Sequence, residues 1–183
     1  MVSTMLTDVY ARLLATLWPA GQANATDVYA VLDAARDERI PRRVEGYLDQ
    51  KACLYEGNLT RELLNAAPHL LHLFRDDRFC RQLLDEGWGQ SWGVFVLAPT
   101  SLISLRRHFR KFMVVRGPTG SRLIFRWYDP RVLRTYLPTC RPDELRTVFG
   151  PIHSFVVEGK DAGTAHRFSL DGEQLTETVI QLA

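Results

Sequence analysis

The sequence has few of the residues from which reactive centres are built. It has three cysteines, Cys53, Cys80 and Cys140, an odd number set far apart with no CxxC pair. That excludes a zinc ribbon and a thioredoxin-type motif, and reads as reduced thiols in a cytosolic protein. Lysine is scarce, at 3 against 20 arginines. No apolar run approaches the roughly 20 residues of a membrane helix. The stretch Met1 to Asp8 lacks a basic segment followed by an apolar one, so no secretory signal is expected and a cytoplasmic location is. There is no internal repeat and no low-complexity tract. Strong net charge is missing too: 23 Lys+Arg stand against 21 Asp+Glu, a balance of +2 that argues against a dedicated nucleic-acid binder.

What is present is ordinary globular material. The 183 residues are 46% hydrophobic and 24% charged. This length suits a single domain over 1–183 that needs no disulfide or metal to hold a core. Residues 4–17 carry apolar side chains at helical spacing (Met5, Val9, Leu13, Leu17), and Pro19, Gly21 and Asn24 then form a connector. Val28–Leu32 is a nearly continuous apolar run, as in a strand covered on both faces. A helix is expected from Pro41 to Asp49, a strand over 52–55 and an extended segment over 68–74. Asp76-Asp77 can cap a helix over 78–86 with Phe79, Leu83 and Leu84 buried, and Gly87 stands where a C′ glycine belongs.

Residues 92–97 read as a strand. Pro99-Thr100-Ser101 then opens a helix over 102–112 with Leu102, Leu105, Phe109 and Phe112 on one stripe. Runs 112–116 and 121–128 flank Gly117–Gly120 as a hairpin. Asp129-Pro130 is an N-cap followed by a first-turn proline, and Pro142 starts a helix ending near Gly150. From Phe155 onward two or three strands follow, with Asp171-Gly172 as a tight turn. The order predicts an α/β fold: a mixed β-sheet flanked by helices, with a β-hairpin-rich C-terminal part.

Candidate chemistry is thin. A Cys–His pair has no local signature around any of the three cysteines and five histidines. His69 and His72 are three apart, which in a strand puts them on opposite faces, so no metal site is expected. The glycine-dense Gly87–Gly93 segment follows a helix and precedes a strand, the wrong order for a phosphate loop. Asp129 is explained by capping. No cofactor and no catalytic residue are expected. The one uneven feature is charge. Between Arg106 and Arg146 eleven Lys+Arg face only Asp129, Asp143 and Glu144, a local charge of +8 against −6 elsewhere. Such a block is a solvated face, pairs with the chain's own acids, or docks an acidic partner.

Several strings occur together and in order: YAVLDAAR (29–36), CLYEG (53–57), APHL (67–70), GWGQSWGVF (87–95), LRRHFRKF (105–112), FRWYDPRV (125–132) and FGP (149–151). Together they resemble the effector chaperone or adaptor domain of bacterial type VI secretion systems, the Tap/Tec type, long catalogued as a domain of unknown function. The resemblance covers residues 28–151, leaving 1–27 as an N-terminal helix and 152–183 as a short β-rich tail. It implies a non-enzymatic cytoplasmic protein that binds a secreted toxic effector, the C-terminal region of the spike (VgrG-type) protein, or both. No membrane, nucleic acid or small-molecule substrate is implied. The residues it singles out for partner binding are Trp88, Trp92, Arg106, Arg107, Arg110, Arg126 and Arg131. A docking surface is expected from the helix over 102–112 with the tryptophan turn beside it. The alternatives are a cysteine-dependent hydrolase or transferase and a nucleic-acid module using 106–146.

Overall fold

The computed structural model describes residues 2–21, 26–117 and 119–183, and of residues 2–7 the backbone alone. Part of the expected connector, at 22–25, lies outside the described residues. Seven helices and nine strands follow the chain as α1 (Val2–Leu17), β1 (Asp27–Asp33), α2 (Arg39–Gly46), β2 (Lys51–Cys53), α3 (Arg61–Ala66), β3 (Pro68–Leu73), α4 (Arg78–Gly87), β4 (Gly93–Ala98), α5 (Leu102–Arg110), β5 (Val114–Arg116), β6 (Arg122–Ile124), α6 (Pro130–Tyr136), α7 (Pro142–Phe149), β7 (Ser154–Glu158), β8 (Thr164–Asp171) and β9 (Gln174–Gln181). A 3₁₀ turn, Leu137–Thr139, continues α6.

The expected α/β class holds. Seven strands form one sheet in the order β2-β3-β1-β4-β7-β8-β9, and β5 and β6 form a separate ribbon. Every ladder is antiparallel. β1 lies between β3 and β4, so its residues 28–33 are buried on both faces. This is why its sequence reads as an unbroken apolar run. Alternate side chains feed two cores. Tyr29 and Val31, with Val94, Val96, Phe155 and Val157, pack under α5, α6 and α7 around Trp127 and Phe109. Val28, Ala30 and Leu32, with Leu71, Leu73, Phe95 and Val156, pack under α1, α2 and α4 around Trp92 and Cys80. Helices thus cover both faces.

Local rules set most boundaries. Asp77, Ser101 and Asp129 each accept a backbone N–H of the helix they precede. Gly87 is the last residue of α4 rather than a residue beyond it. Its backbone is not left-handed; what it supplies is room, since a Cβ there would lie 2.6 Å from the Trp92 ring. The expected helix from Pro41 begins earlier, at Arg39, because Ile40 as well as Val44 is buried. The two ends of the sheet differ. On β2, Arg106 Nε donates to the outward carbonyl of Cys53 (2.9 Å). On β9, no described group other than β8 hydrogen-bonds to the backbone between Gln174 and Ile180, and most of its side chains are exposed.

Candidate functional site

The glycine- and tryptophan-rich segment forms a packed turn between α4 and β4. Trp92 is 2% exposed. Its indole N–H donates to Asp37 (3.3 Å) and the Arg39 guanidinium lies over its ring, 4.9 Å from the centroid. The hydrogen bond from Arg39 holds the Asp37 carboxyl well below the usual carboxylate range. Trp88 is half-buried, and its indole N–H donates to the Ala162 carbonyl (2.9 Å). Ser91 sits at φ +57°, and its hydroxyl donates to Glu158 (2.8 Å). The Glu158 carboxylate also accepts the Gly89 N–H (2.6 Å). Glu158 ends β7 and is itself buried, so an acid from the centre of the sheet pins this turn.

Two further acids lie at strand or helix ends. Asp33, at the end of β1, is buried and pairs with Arg126. Asp129 caps α6 and takes a bidentate pair from Arg131 (2.9 and 2.5 Å). Burial pushes the Asp129 carboxyl up, but the hydrogen bonds from Arg131 outweigh it and the net displacement is downward. Glu158 carries no motif signature, and the YAVLDAAR string (29–36) that holds Asp33 does not single it out. Each follows an apolar strand and reads as the first polar residue of a loop. The faint signal is that each ends a run buried on both faces.

The arginines of α5 divide. Leu54 N–H donates to the Pro68 carbonyl (2.9 Å), continuing the β2–β3 ladder by one pair. In an antiparallel pair of this kind the second residue returns an N–H to the first. Proline has none. The orphaned Leu54 carbonyl accepts Arg110 Nε instead (3.0 Å), and Arg110 Nη2 donates to the Tyr55 carbonyl (2.7 Å). Arg106 covers Cys53, as above. Arg107 is exposed and bonds to no described residue. The tryptophan turn packs on the sheet face opposite α5, so the two do not make one continuous surface.

Thiol chemistry has one meeting point. Cys53 and His69 are register partners across β2 and β3, and both line a cleft of about 570 Å³ with Asn65 and Arg61. No hydrogen bond joins them; His69 Nε2 lies 2.9 Å from the Leu64 carbonyl. Burial pushes the Cys53 and Cys140 thiols up, and Cys80 up to about 12. A nucleophilic thiol requires the opposite displacement. His72 lies on the other face of β3, stacked 4.9 Å from the Tyr29 ring. No helix among the described residues is long and apolar enough to cross a membrane.

A scan against protein-family models matches residues 28–147 to the model described as Domain of unknown function (DUF4123). No curated protein and no solved structure matches the chain.

Proposed function

The chain belongs to the DUF4123 domain family, and from that membership we propose that it is a cytoplasmic adaptor or chaperone which binds a type VI secretion effector and helps load it onto the spike protein for export. The observation that carries this reading is the ordered series of motifs from Tyr29 to Pro151, and the family match spans nearly the same residues. The structure adds a physical reason to look to protein partners. The acids and arginines around the tryptophan turn pair with one another, and the cysteine cleft holds a thiol that burial keeps protonated. Neither arrangement offers an activated nucleophile. In this role affinity comes from apolar anchors, and charge sets encounter and specificity.

Co-expression with the effector and the spike protein encoded beside it should give a complex that survives affinity purification and gel filtration. Deletion of this chain should abolish export of that effector while leaving other effectors unaffected. Failure to purify with either protein, together with undiminished export after deletion, refutes the proposal.

A further inference from the structure

Of the eleven cations between Arg106 and Arg146, seven are spoken for within the chain. Arg106, Arg110 and Arg134 donate to backbone carbonyls. Arg126, Arg131, Arg141 and Arg146 pair with acids. The other four, Arg107, Lys111, Arg116 and Arg122, are exposed and have no partner among the described residues. They lie close together along the chain. Arg107 and Lys111 are at the end of α5, and Arg116 and Arg122 face each other across the β5–β6 ribbon. Like charges directly opposite on paired strands repel. The three acids of this segment, Asp129, Asp143 and Glu144, are already engaged by Arg131 and Arg141.

The same ribbon exposes its apolar side chains. Val114 is 41% exposed, Val115 39%, Leu123 48% and Ile124 56%. Register puts Val114 opposite Ile124 and Arg116 opposite Arg122, so one face of the ribbon carries two aliphatic and two guanidinium side chains. The Phe125 N–H donates to the Met113 carbonyl and the Gly117 N–H to the Ser121 carbonyl. By alternation, residues 114 and 116 on one strand and 122 and 124 on the other point their backbone groups outward. Among the described residues no third strand joins them. A two-stranded ribbon is marginal in water, and a further strand is what such ribbons lack.

We propose that the β5–β6 ribbon, with Arg107 and Lys111 beside it, docks a partner protein by taking up, as a third strand, an extended acidic segment in which an aliphatic and an acidic residue stand two apart. Backbone pairing at a ribbon edge would give affinity, and residues two apart on one face would set an aliphatic group beside Val114 and a carboxylate beside Arg116 on the β5 edge, or the same pair beside Ile124 and Arg122 on the β6 edge. A second copy of this chain is a poor occupant, because ribbon against ribbon brings together two sets of the same four unpaired cations. Single-stranded nucleic acid is poorly matched too, since the ribbon's exposed apolar side chains are aliphatic and provide no stacking platform. The proposal rests on the adaptor reading for the identity of the partner, which is the effector or the spike protein.

The test uses the full chain as wild type and as three double variants: Arg116→Glu/Arg122→Glu, Val114→Ser/Ile124→Ser, and Arg107→Glu/Lys111→Glu. The last leaves the ribbon untouched should the others unfold it. Each is co-expressed with the neighbouring effector and spike proteins, and each is titrated with a labelled nine-residue peptide of sequence Val-Thr-Glu-Thr-Val-Thr-Glu-Thr-Val, which sets valine and glutamate two apart on one face. Binding roughly tenfold weaker in all three variants, at unchanged thermal midpoint, is expected. Capture equal to wild type overturns the proposal while leaving the adaptor reading in place. If wild type captures neither protein, the adaptor reading fails, and the peptide decides the ribbon: saturable binding lost in the variants supports it, no binding overturns it. A wild-type dimer that the same substitutions dissociate, or duplex DNA bound in place of the peptide, also overturns it.

Discussion

At the scale of single residues, arginine mostly repairs backbone. Pro68 begins β3 and leaves the Leu54 carbonyl without its ladder partner, and Arg110 arrives from α5 to take that place. Lys51 does similar work at the end of α2, donating to the carbonyls of Val44, Glu45 and Tyr47 (2.7, 2.9 and 2.6 Å). None of this is visible in the sequence, where Arg106, Arg107 and Arg110 look alike on one helix. Arg110→Ala should cost about 1–2 kcal/mol, because it strands two part-buried carbonyls. Arg107→Ala should stay within about 0.5 kcal/mol, as for a surface side chain without partners. Urea unfolding of the two variants checks the difference. Equal midpoints would show that the Leu54 carbonyl finds water instead.

Among the elements, the turn from Gly87 to Gly93 shows where sequence reading succeeds and where it stops. Its expected place between a helix and a strand holds, since it joins α4 to β4. Its glycines are explained only in three dimensions: a Cβ at Gly87 would strike Trp92, and one at Gly93 would run into the Val31 carbonyl of the neighbouring strand. The acid that holds it, Glu158, lies 65 residues beyond Gly93 in the chain, so no local pattern links them. Glu158→Ala should cost about 3 kcal/mol by leaving the Gly89 N–H and the Ser91 hydroxyl without an acceptor. For a chain of this size that lowers the thermal midpoint by about 6–12 °C. Glu158→Gln keeps an acceptor oxygen and should recover most of the loss; no recovery would mean the charge, rather than the hydrogen bonds, holds the turn. The strongly periodic or well-capped elements, α4, α5 and α6, are legible from Asp77, Ser101 and Asp129. The short α3 is not: it buries no residue, so no apolar stripe marks it, and only its Thr60 cap gives it away.

For the whole molecule, the family match stops at 147 but the sheet does not. β7 lies beyond it, between β4 and β8, with all five residues buried. A chain ending at Gly150 would bare the β4 edge and remove Phe155, Val157 and Phe168 from one core and Val156 from the other. That truncation should be insoluble or lack a cooperative thermal transition, whereas a stable monomer would show that 28–150 forms a self-sufficient core. The net charge of +2 likewise misleads as an average, since seven of the eleven clustered cations are consumed internally. The two ends of the main sheet differ in valence. Arg106 and Arg110 occupy the carbonyls of Cys53 and Tyr55 at the β2 end, while the β9 backbone is open, so the two ends receive a further strand unequally. Growth of a fibre by edge-to-edge addition needs two, one to receive and one to offer. An added strand meets guanidinium groups at β2 and free backbone at β9, so such growth is disfavoured at one of the two ends it requires.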